Sequence, residues 1–253
     1  MALKLIIGKC CILGNFRENN EDAIEVRQAR DFTACLVADG MGGQAAGEIA
    51  SQRTIEVVSR ALRRDFRTEF DQETTMSILR KAIVQANEEI IAMSELDRDL
   101  NNMGTTIVSA VWSNGSEMHI ASVGDSRAYL VRQGTIELLT EDDDLAHALM
   151  RMGQLTPEEA RKSRIRNYLL RFIGSREVGE GPEVKMVHIQ NGDRFMLCTD
   201  GLHGSVEDDQ LLSCIRGHDD VQRCAEALCQ LALDSGSRDN VSCIVIEVVE
   251  TGK

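Results

Sequence analysis

The sequence has few of the features that mark a secreted, membrane-spanning or multi-domain chain. Only two of its 253 residues are proline, and no segment rich in glycine, serine and proline divides it, which favours one domain. No run of about 18 apolar residues occurs, so no transmembrane helix is predicted. The early segment KLIIGKCCILG is interrupted by Lys9 and lacks a cleavage site of small residues, which argues against a secretion signal.

Cysteine pairs at the CxxC spacing are absent, although the chain has eight cysteines. Most of them lie in apolar runs typical of strands or helices, including Cys35, Cys198, Cys229 and Cys243. There a reduced thiol serves as a small core residue, with disulfides or a zinc site as the alternative. Reduced thiols are typical of a cytoplasmic protein, and we expect that compartment.

The sequence has fewer basic than acidic residues. The chain has 28 lysines and arginines against 41 aspartates and glutamates, a formal net charge of −13. Such an excess of negative charge repels nucleic-acid phosphates and anionic lipid headgroups. We therefore expect neither nucleic acid nor a membrane as a partner.

Hydrophobic periodicity predicts strands and helices in separate groups rather than in regular alternation. Turn dipeptides such as Asn114-Gly115 separate four strands between residues 104 and 139. This grouping favours an α+β fold, with helices over the outer faces of stacked antiparallel sheets. The remaining predicted strands are 4–13, 23–28, 32–38, 184–189, 194–198 and 241–248, and the predicted helices are 44–66, 72–96, 208–215, 221–234 and a mostly helical insert at 144–162.

Acidic residues recur where the predicted strands begin or end. Asp39 follows the apolar run CLVA and precedes the glycine-rich GMGG. Gathered at one sheet edge, such carboxylates would repel each other unless a cation held them, and Mg²⁺ or Mn²⁺ prefers oxygen ligands. Each aspartate taken alone could instead be a turn former or a helix cap. The other members of the set are Glu21, Asp22, Asp125, Asp200 and Asp239.

Other phosphate- and metal-binding motifs do not fit. The segment DGMGG lacks the GK[ST] of a P-loop and is not GxGxxG. The acidic run 141–144 lacks the glycine and glutamate spacing of a calcium loop. Neither HExxH nor GxSxG occurs in the sequence.

Eight blocks, in order, resemble the metal-dependent serine/threonine protein phosphatases of the PP2C (PPM) family in their compact bacterial form. They are GNFRENNEDA (14–23), VADGMGG (37–43), AGEIAS (46–51), GTT (104–106), VGDSRAYL (123–130), LTEDD (139–143), CTDGL (198–202) and SRDNVS (237–242). The resemblance spans essentially the whole chain. It implies a single domain over residues 1–253, built as a four-layer αββα sandwich of two stacked antiparallel sheets flanked by helix pairs, with a helical flap at about 145–180.

The resemblance also implies a set of metal ligands. Asp39 would bridge two metal ions as a catalytic carboxylate. The Gly40 carbonyl and Glu21 would complete one ion's protein ligands, and Asp200 and Asp239 would hold the other. The implied cofactors are Mn²⁺ or Mg²⁺, two bound tightly and a third more weakly.

Three further residues receive roles from the same resemblance. Asp22 matches a catalytic position that fixes metal-bound water. Asp125, with Asp200, matches the weaker third-metal site of bacterial members. Arg17 matches the arginine that binds the substrate phosphate, a task that suits a planar bidentate donor.

The sequence departs from the family pattern at three positions. Met41 stands where some members have a histidine that acts as a general acid. Gln44 and Asp143 stand where bacterial relatives often have histidine, and the sequence assigns no role to either. Within the flap, residues 161–176 carry six basic residues and no acid. This segment could be a solvated basic face or a positive rim that recruits phosphoprotein.

The resemblance implies hydrolysis of phosphoserine and phosphothreonine monoesters by a hydroxide that bridges two cations, in a monomer opposing a bacterial-type Ser/Thr kinase. Two alternatives use the same sequence features. A metal nuclease is disfavoured by the negative charge and by the absence of a basic groove with interleaved aromatics. A non-enzymatic binding domain would be expected to have lost Asp39, Asp200 or Asp239, and all three are present.

Overall fold

The computed structural model describes residues 2–30, 32–42, 46–67, 71–113 and 115–251. Gly43, Gln44 and Asn114 of the predicted motifs therefore lie outside the described residues. The strands are β1 (Leu3–Ile12), β2 (Asp22–Gln28), β3 (Thr33–Met41), β4 (Gly104–Thr105), β5 (Ile107–Trp112), β6 (Glu117–Val123), β7 (Arg127–Arg132), β8 (Thr135–Leu138), β9 (Val184–His188), β10 (Arg194–Cys198) and β11 (Val241–Glu250). The α-helices are α1 (Ala46–Asp65), α2 (Gln72–Leu96), α3 (Leu145–Arg151), α4 (Pro157–Lys162), α5 (Asp200–His203), α6 (Asp208–Gly217) and α7 (Val221–Asp234).

The strands form two antiparallel sheets. The first has the order β1-β11-β10-β7-β8, and the second has the order β2-β3-β5-β6-β9 with β4 paired to β3. One hydrophobic cluster lies between the sheets, and another lies beneath α1 and α2 on the second sheet. A third lies between the first sheet and α5 to α7. The four-layer αββα sandwich predicted from the sequence is confirmed.

Helix α2 shows how local sequence builds an outer layer. Its N-cap, Asp71, accepts a hydrogen bond from the backbone N–H of Thr74 at 2.7 Å, which satisfies a donor left free at the helix start. A stripe of apolar residues at helical spacing is buried against the second sheet. The stripe includes Leu79, Ile83, Ala86 and Ile90. Its observed bounds match those predicted from the sequence.

The predicted end of β3 was wrong, and the difference concerns Asp39. The strand continues to Met41, because Gly40 and Met41 pair with Thr105 and Gly104 of β4. Asp39 therefore lies within a strand rather than at its end. The long-range pairing with β4 extends a strand whose apolar pattern stops at Ala38.

The flap segment, residues 145–180, begins with the two helices α3 and α4, which occupy most of the predicted helical insert at 144–162. Short 3₁₀ turns follow them. The predicted capping box at the start of α4 is present: Glu159 N–H donates to the Thr156 hydroxyl at 3.2 Å, and Thr156 N–H donates back to the Glu159 carboxylate at 2.8 Å. Past the helices, Ile173 pairs with Thr105 of β4.

All eight cysteines lie within the described residues, and all are free thiols. Cys35, Cys198, Cys229 and Cys243 are buried in the hydrophobic clusters, as the sequence predicted. Within the described part of the chain, no helix is both long enough and apolar enough to cross a membrane.

His119 of β6 makes stability sensitive to acid. Its side chain is buried beneath the helix layer, and burial lowers the pKa of the imidazole below its ordinary 6.5. Below that pH the unfolded chain binds a proton that the folded chain does not bind. As the pH falls below 6.5, we therefore expect His119 to lower the free energy of unfolding, by at most about 1.4 kcal/mol per pH unit.

The measurement is urea unfolding of the metal-free protein and of His119→Gln at several pH values between 5.5 and 7.5. Comparing the two slopes removes the contribution of other titrating groups. His119→Gln should lose less stability than the parent on acidification. Equal slopes for the parent and His119→Gln would contradict the prediction.

Candidate metal centre

The β2–β3 hairpin brings three of the predicted residues together. Asp22 lies opposite Asp39 in the antiparallel ladder. The backbone N–H of Gly40 donates to the carbonyl oxygen of Glu21 at 3.0 Å, which fixes the chain just before β2. Side chains opposite each other in such a ladder are close neighbours. One hairpin therefore places Glu21, Asp22 and Gly40 beside Asp39.

The first sheet supplies two more carboxylates. Asp200 begins α5 two residues after β10, and Asp239 lies just before β11, the strand that neighbours β10. Asp200 and Asp239 lie close enough to Asp39 for their negative charges to raise its pKa. The site therefore lies where the two sheets meet at one edge of the sandwich.

Asn240 links the loops that carry Glu21 and Asp239. Its side-chain oxygen accepts the N–H of Glu21 at 2.8 Å. Its amide nitrogen donates to the carbonyl oxygens of Leu13 at 2.8 Å and Asn19 at 3.1 Å. Three hydrogen bonds from one buried side chain thus join segments that are far apart in sequence. The sequence shows Asn240 only as part of the SRDNVS motif and indicates no role for it.

Asp125 lies in the turn between β6 and β7, on the wall of a cavity of about 740 Å³ that Asp200 and Asp239 also line. The backbone carbonyl of Asp125 is within 3.0 Å of His203 Nε2 on α5. The structure therefore brings all six predicted metal-binding residues to one region, with Asp125 on the side facing the flap segment.

The carboxylates at this site are poorly compensated. Burial raises the pKa of Asp39 well above its ordinary value, and the negative charges of Asp22, Asp200, Asp125 and Asp239 raise it further. Burial and neighbouring aspartates also raise the pKa values of Asp125 and Asp200. A buried group of like charges favours neutral side chains unless cations are present.

Asp22 is held by its neighbours. Its carboxylate accepts a hydrogen bond from the Thr199 hydroxyl at 3.0 Å, and its backbone N–H donates to Asn20 Oδ1 at 3.1 Å. Burial raises the pKa of Asp22 to about 7, although the hydrogen bond from Thr199 opposes the shift. The sequence did not identify Thr199 as a partner of Asp22. Its position within the CTDGL motif is the signal that could have pointed to it.

Arg17 reaches the same site from the loop before β2. Its guanidinium donates to Asp239 Oδ2 at 2.7 Å, and the side chain is 46% exposed. It also lowers the pKa of Glu21, which burial raises. Arg17 is thus a half-exposed cation whose carboxylate partner is itself a predicted metal ligand.

Glycine is required at the backbone that faces these ligands. A methyl group at Gly40 would lie 2.1 Å from the Gly47 carbonyl oxygen and 2.6 Å from that of Glu21. A methyl group at Gly47, near the start of α1, would lie 2.5 Å from Glu21 Oε1. The close approach of α1 to the β2–β3 hairpin therefore depends on two glycines, since neither position has room for a side chain.

The structure adds a cluster that was not predicted from the sequence. Asp142, Asp144 and His147 place ligand-type atoms within 4.8 Å of one another beside the same cavity. Arg127 already binds both carboxylate oxygens of Asp142, at 2.8 and 2.9 Å. His147 Nδ1 lies 2.8 Å from Asp144, which raises the pKa of the imidazole. Arg127 and His147 thus compensate the negative charges of Asp142 and Asp144, and the cluster stabilises the start of α3.

Asp143, for which the sequence indicated no role, contacts partners other than Arg127 and His147. Its carboxylate accepts the Gly124 N–H at 3.1 Å and lies 3.5 Å from Arg171 of the flap segment. It therefore joins the turn that carries Asp125 to the flap segment.

The donor set at the predicted site fits divalent cations. It combines several carboxylates with backbone carbonyl oxygens, the ligands that Mg²⁺ and Mn²⁺ prefer. Asp22 is buried and the other carboxylates of the set are half-buried. Among the described residues Arg17 forms an ion pair with Asp239, but no arginine binds both oxygens of one of these carboxylates as Arg127 does with Asp142. Cations at this site would compensate their negative charges.

Comparison with known proteins gives a consistent result. The family model for protein phosphatase 2C matches residues 16–237. The serine/threonine phosphatase stp of Listeria welshimeri is 34% identical over 235 residues, which is 92% of each chain. The serine/threonine protein phosphatase PstP of Mycobacterium tuberculosis is 36% identical over 240 residues, which is 94% of this chain and 44% of that protein. The crystal structure of the catalytic domain of PstP in complex with two manganese ions superposes with a TM-score of 0.83 at 34% identity, covering 98% of this chain and all of that one.

Proposed function

The chain belongs to the protein phosphatase 2C family, and we propose that it hydrolyses phosphoserine and phosphothreonine monoesters on proteins with the help of Mn²⁺ or Mg²⁺. The observation that carries the proposal is the convergence of acidic side chains from both sheets on Asp39, with too little positive charge to balance them. The two manganese ions bound to the PstP catalytic domain support the same reading.

Each residue has a task in this proposal. Asp39, the Gly40 carbonyl and Glu21 would hold one cation, and Asp39, Asp200 and Asp239 would hold the other. Two such cations would supply a nucleophile from water at neutral pH and neutralise phosphoryl charge.

Three residues act around that core. Asp22, fixed by the Thr199 hydroxyl, orients water beside Asp39. Asp125 provides a weaker third cation site on the cavity wall, together with Asp200. Met41 has no ionisable proton to give the leaving serine oxygen, so that proton must come from water in the site.

The substrates are phosphoproteins, and we propose that the enzyme opposes a bacterial-type Ser/Thr kinase as a monomer in the cytoplasm. Eight free thiols support a reducing compartment.

The test of this function is hydrolysis of an aryl phosphate and of a phosphothreonine peptide with Mn²⁺, with Mg²⁺ and with a chelator. An aryl phosphodiester assayed in parallel distinguishes the nuclease alternative. Metal-dependent cleavage of the two monoesters is the expected result. Cleavage of the diester alone, or no loss of activity with the chelator, would overturn the proposal.

Arg17→Ala should raise KM for a phosphopeptide clearly more than it lowers kcat. The guanidinium lies at the site but cannot bind a cation, so its task is to hold phosphate oxygens in the ground state and transition state alike. Loss of such uniform binding appears mainly in KM. Steady-state kinetics at saturating Mn²⁺ measures the split.

The control for Arg17 is Arg30→Ala, a change at an exposed arginine in the turn after β2. Its kinetic constants should match those of the parent. If Arg17→Ala leaves KM unchanged, the Arg17–Asp239 contact is structural and the phosphate is held by other groups.

A further inference from the structure

Asn87 is a buried polar residue on α2 that lies outside the predicted catalytic motifs. Its side chain is only 6% exposed, in a helix layer that is otherwise apolar on this face. Its amide nitrogen donates to the carbonyl oxygen of Ser175 at 3.0 Å, and its side-chain oxygen accepts the N–H of Gly174 at 2.7 Å. Asn87 therefore holds the end of the flap segment with both of its polar atoms.

The backbone at this contact has little freedom to shift. Gly174 has a φ of +106°, a conformation that side-chain-bearing residues rarely adopt. A methyl group there would lie 2.8 Å from the Met103 carbonyl oxygen. The end of the flap segment therefore packs closely against Met103, the residue that precedes β4.

From Gly174 the contacts continue directly to the metal centre. The neighbouring Ile173 exchanges two backbone hydrogen bonds with Thr105, at 3.0 and 2.8 Å. The Thr105 hydroxyl donates to the carbonyl oxygen of Asp39 at 2.8 Å, and the Thr106 N–H donates to the same oxygen at 2.9 Å. The polar groups at this end of β4 are buried.

The same chain of contacts reaches the cavity wall. The Thr106 hydroxyl accepts the N–H of Asp39 at 2.9 Å and lies 2.7 Å from the hydroxyl of Ser126. Ser126 directly follows Asp125. One set of buried hydrogen bonds therefore supports both the proposed bridging carboxylate and the proposed third-site carboxylate.

We propose that Asn87 is a positioning residue, which sets the geometry of the metal centre through the flap end and β4 without touching metal or substrate. Loss of its two hydrogen bonds leaves the Gly174 N–H and the Ser175 carbonyl without buried partners. The Ile173–Thr105 pairing then loosens, and with it the support beneath Asp39. The inference rests on the proposed role of Asp39.

The first test is Mn²⁺ titration calorimetry of the parent and of Asn87→Ala. Residues that support metal ligands indirectly typically change metal affinity by about 10- to 100-fold, and we expect about tenfold weaker binding here. The matched control is Gln85→Ala, which removes another side-chain amide from the same helix, one that accepts a hydrogen bond from Arg64 near the surface. Its Mn²⁺ affinity and activity should be those of the parent.

The second test is amide hydrogen exchange of the metal-free proteins, with urea unfolding to monitor global stability. In Asn87→Ala the amides of Ile173 and Thr106 should exchange at least about tenfold faster, beyond any change explained by global unfolding. These two amides lie along the proposed path rather than at the substituted residue. Lower global stability with unchanged Mn²⁺ affinity and unchanged local exchange would show a purely structural role and overturn the inference.

A third variant keeps the inference testable if Asn87→Ala does not fold. Asn87→Asp keeps an acceptor for the Gly174 N–H and loses the donor to Ser175, so its Mn²⁺ affinity should be weaker than that of the parent. Affinity equal to that of the parent would count against the inference. If the parent itself binds no Mn²⁺, the proposed function fails and not this inference alone.

Discussion

Asp39→Asn should abolish phosphatase turnover, with a loss of at least about a thousandfold in kcat, and weaken Mn²⁺ binding by about a hundredfold or more. Asp39 is the residue on which carboxylates from both sheets converge, and its charge is the one proposed to contact both cations. An amide has nearly the same shape but supplies no negative charge. The loss should therefore appear in metal affinity and in turnover together.

The fold should survive this change. Burial and neighbouring aspartates raise the pKa of Asp39, so the metal-free protein gains nothing from a charge at this position. The metal-free variant should accordingly unfold at a temperature no lower than that of the metal-free parent, while Mn²⁺ should stabilise it much less. Asp234→Asn, at an exposed position on α7, serves as the control. Unchanged Mn²⁺ affinity in Asp39→Asn would remove Asp39 from the role proposed for it.

Gly40→Ala should lower phosphatase activity almost as much as Asp39→Asn does. The cause is a steric clash rather than a lost charge. The added methyl would meet the Gly47 carbonyl at 2.1 Å, and both it and the Glu21 carbonyl belong to backbone that cannot rotate away. Either α1 or the segment carrying Glu21 must shift. We expect at least a hundredfold loss in kcat/KM, because displacements of about 1 Å at a reacting site have effects of that size.

The control is Gly217→Ala, at the end of α6, where an added methyl meets no atom within 4 Å. Its activity should equal that of the parent. Unfolding of Gly40→Ala in urea, followed by circular dichroism, separates local displacement from loss of the fold. Near-parental activity in Gly40→Ala would mean that α1 can move at little cost and that the close packing is not needed.

The sequence predicted the acidic residues because each lies near a change in local pattern. Asp39 follows an apolar run and precedes glycine, and Asp200 follows another apolar run, so strand periodicity and turn chemistry mark both positions. The fold class followed from grouped strands and helices, and the order of the family motifs linked them to known chemistry. These signals are local, and single-chain patterns carry them well.

The parts that could not be predicted depend on long-range pairing. The extension of β3 through Asp39 requires β4, whose two residues are too few to show any periodicity. Asn240 and Asn87 resemble ordinary polar residues in a turn and in a helix, and only the folded chain shows which backbone groups they bind. The Arg17–Asp239 contact likewise joins loops from opposite ends of the sequence.

The pairing of β1 with β11 governs when the enzyme can become active during its synthesis. β1 is made early, yet its ladder partner is the last strand, with Leu3 opposite Glu250. The second sheet, by contrast, uses strands that end at His188 and can assemble while the remainder is still being made. Closing such distant contacts is slow because loop entropy must be overcome first. A nascent chain that has not reached Asp200 and Asp239 lacks two of the proposed metal ligands, and we expect it to have no phosphatase activity before β11 has been made.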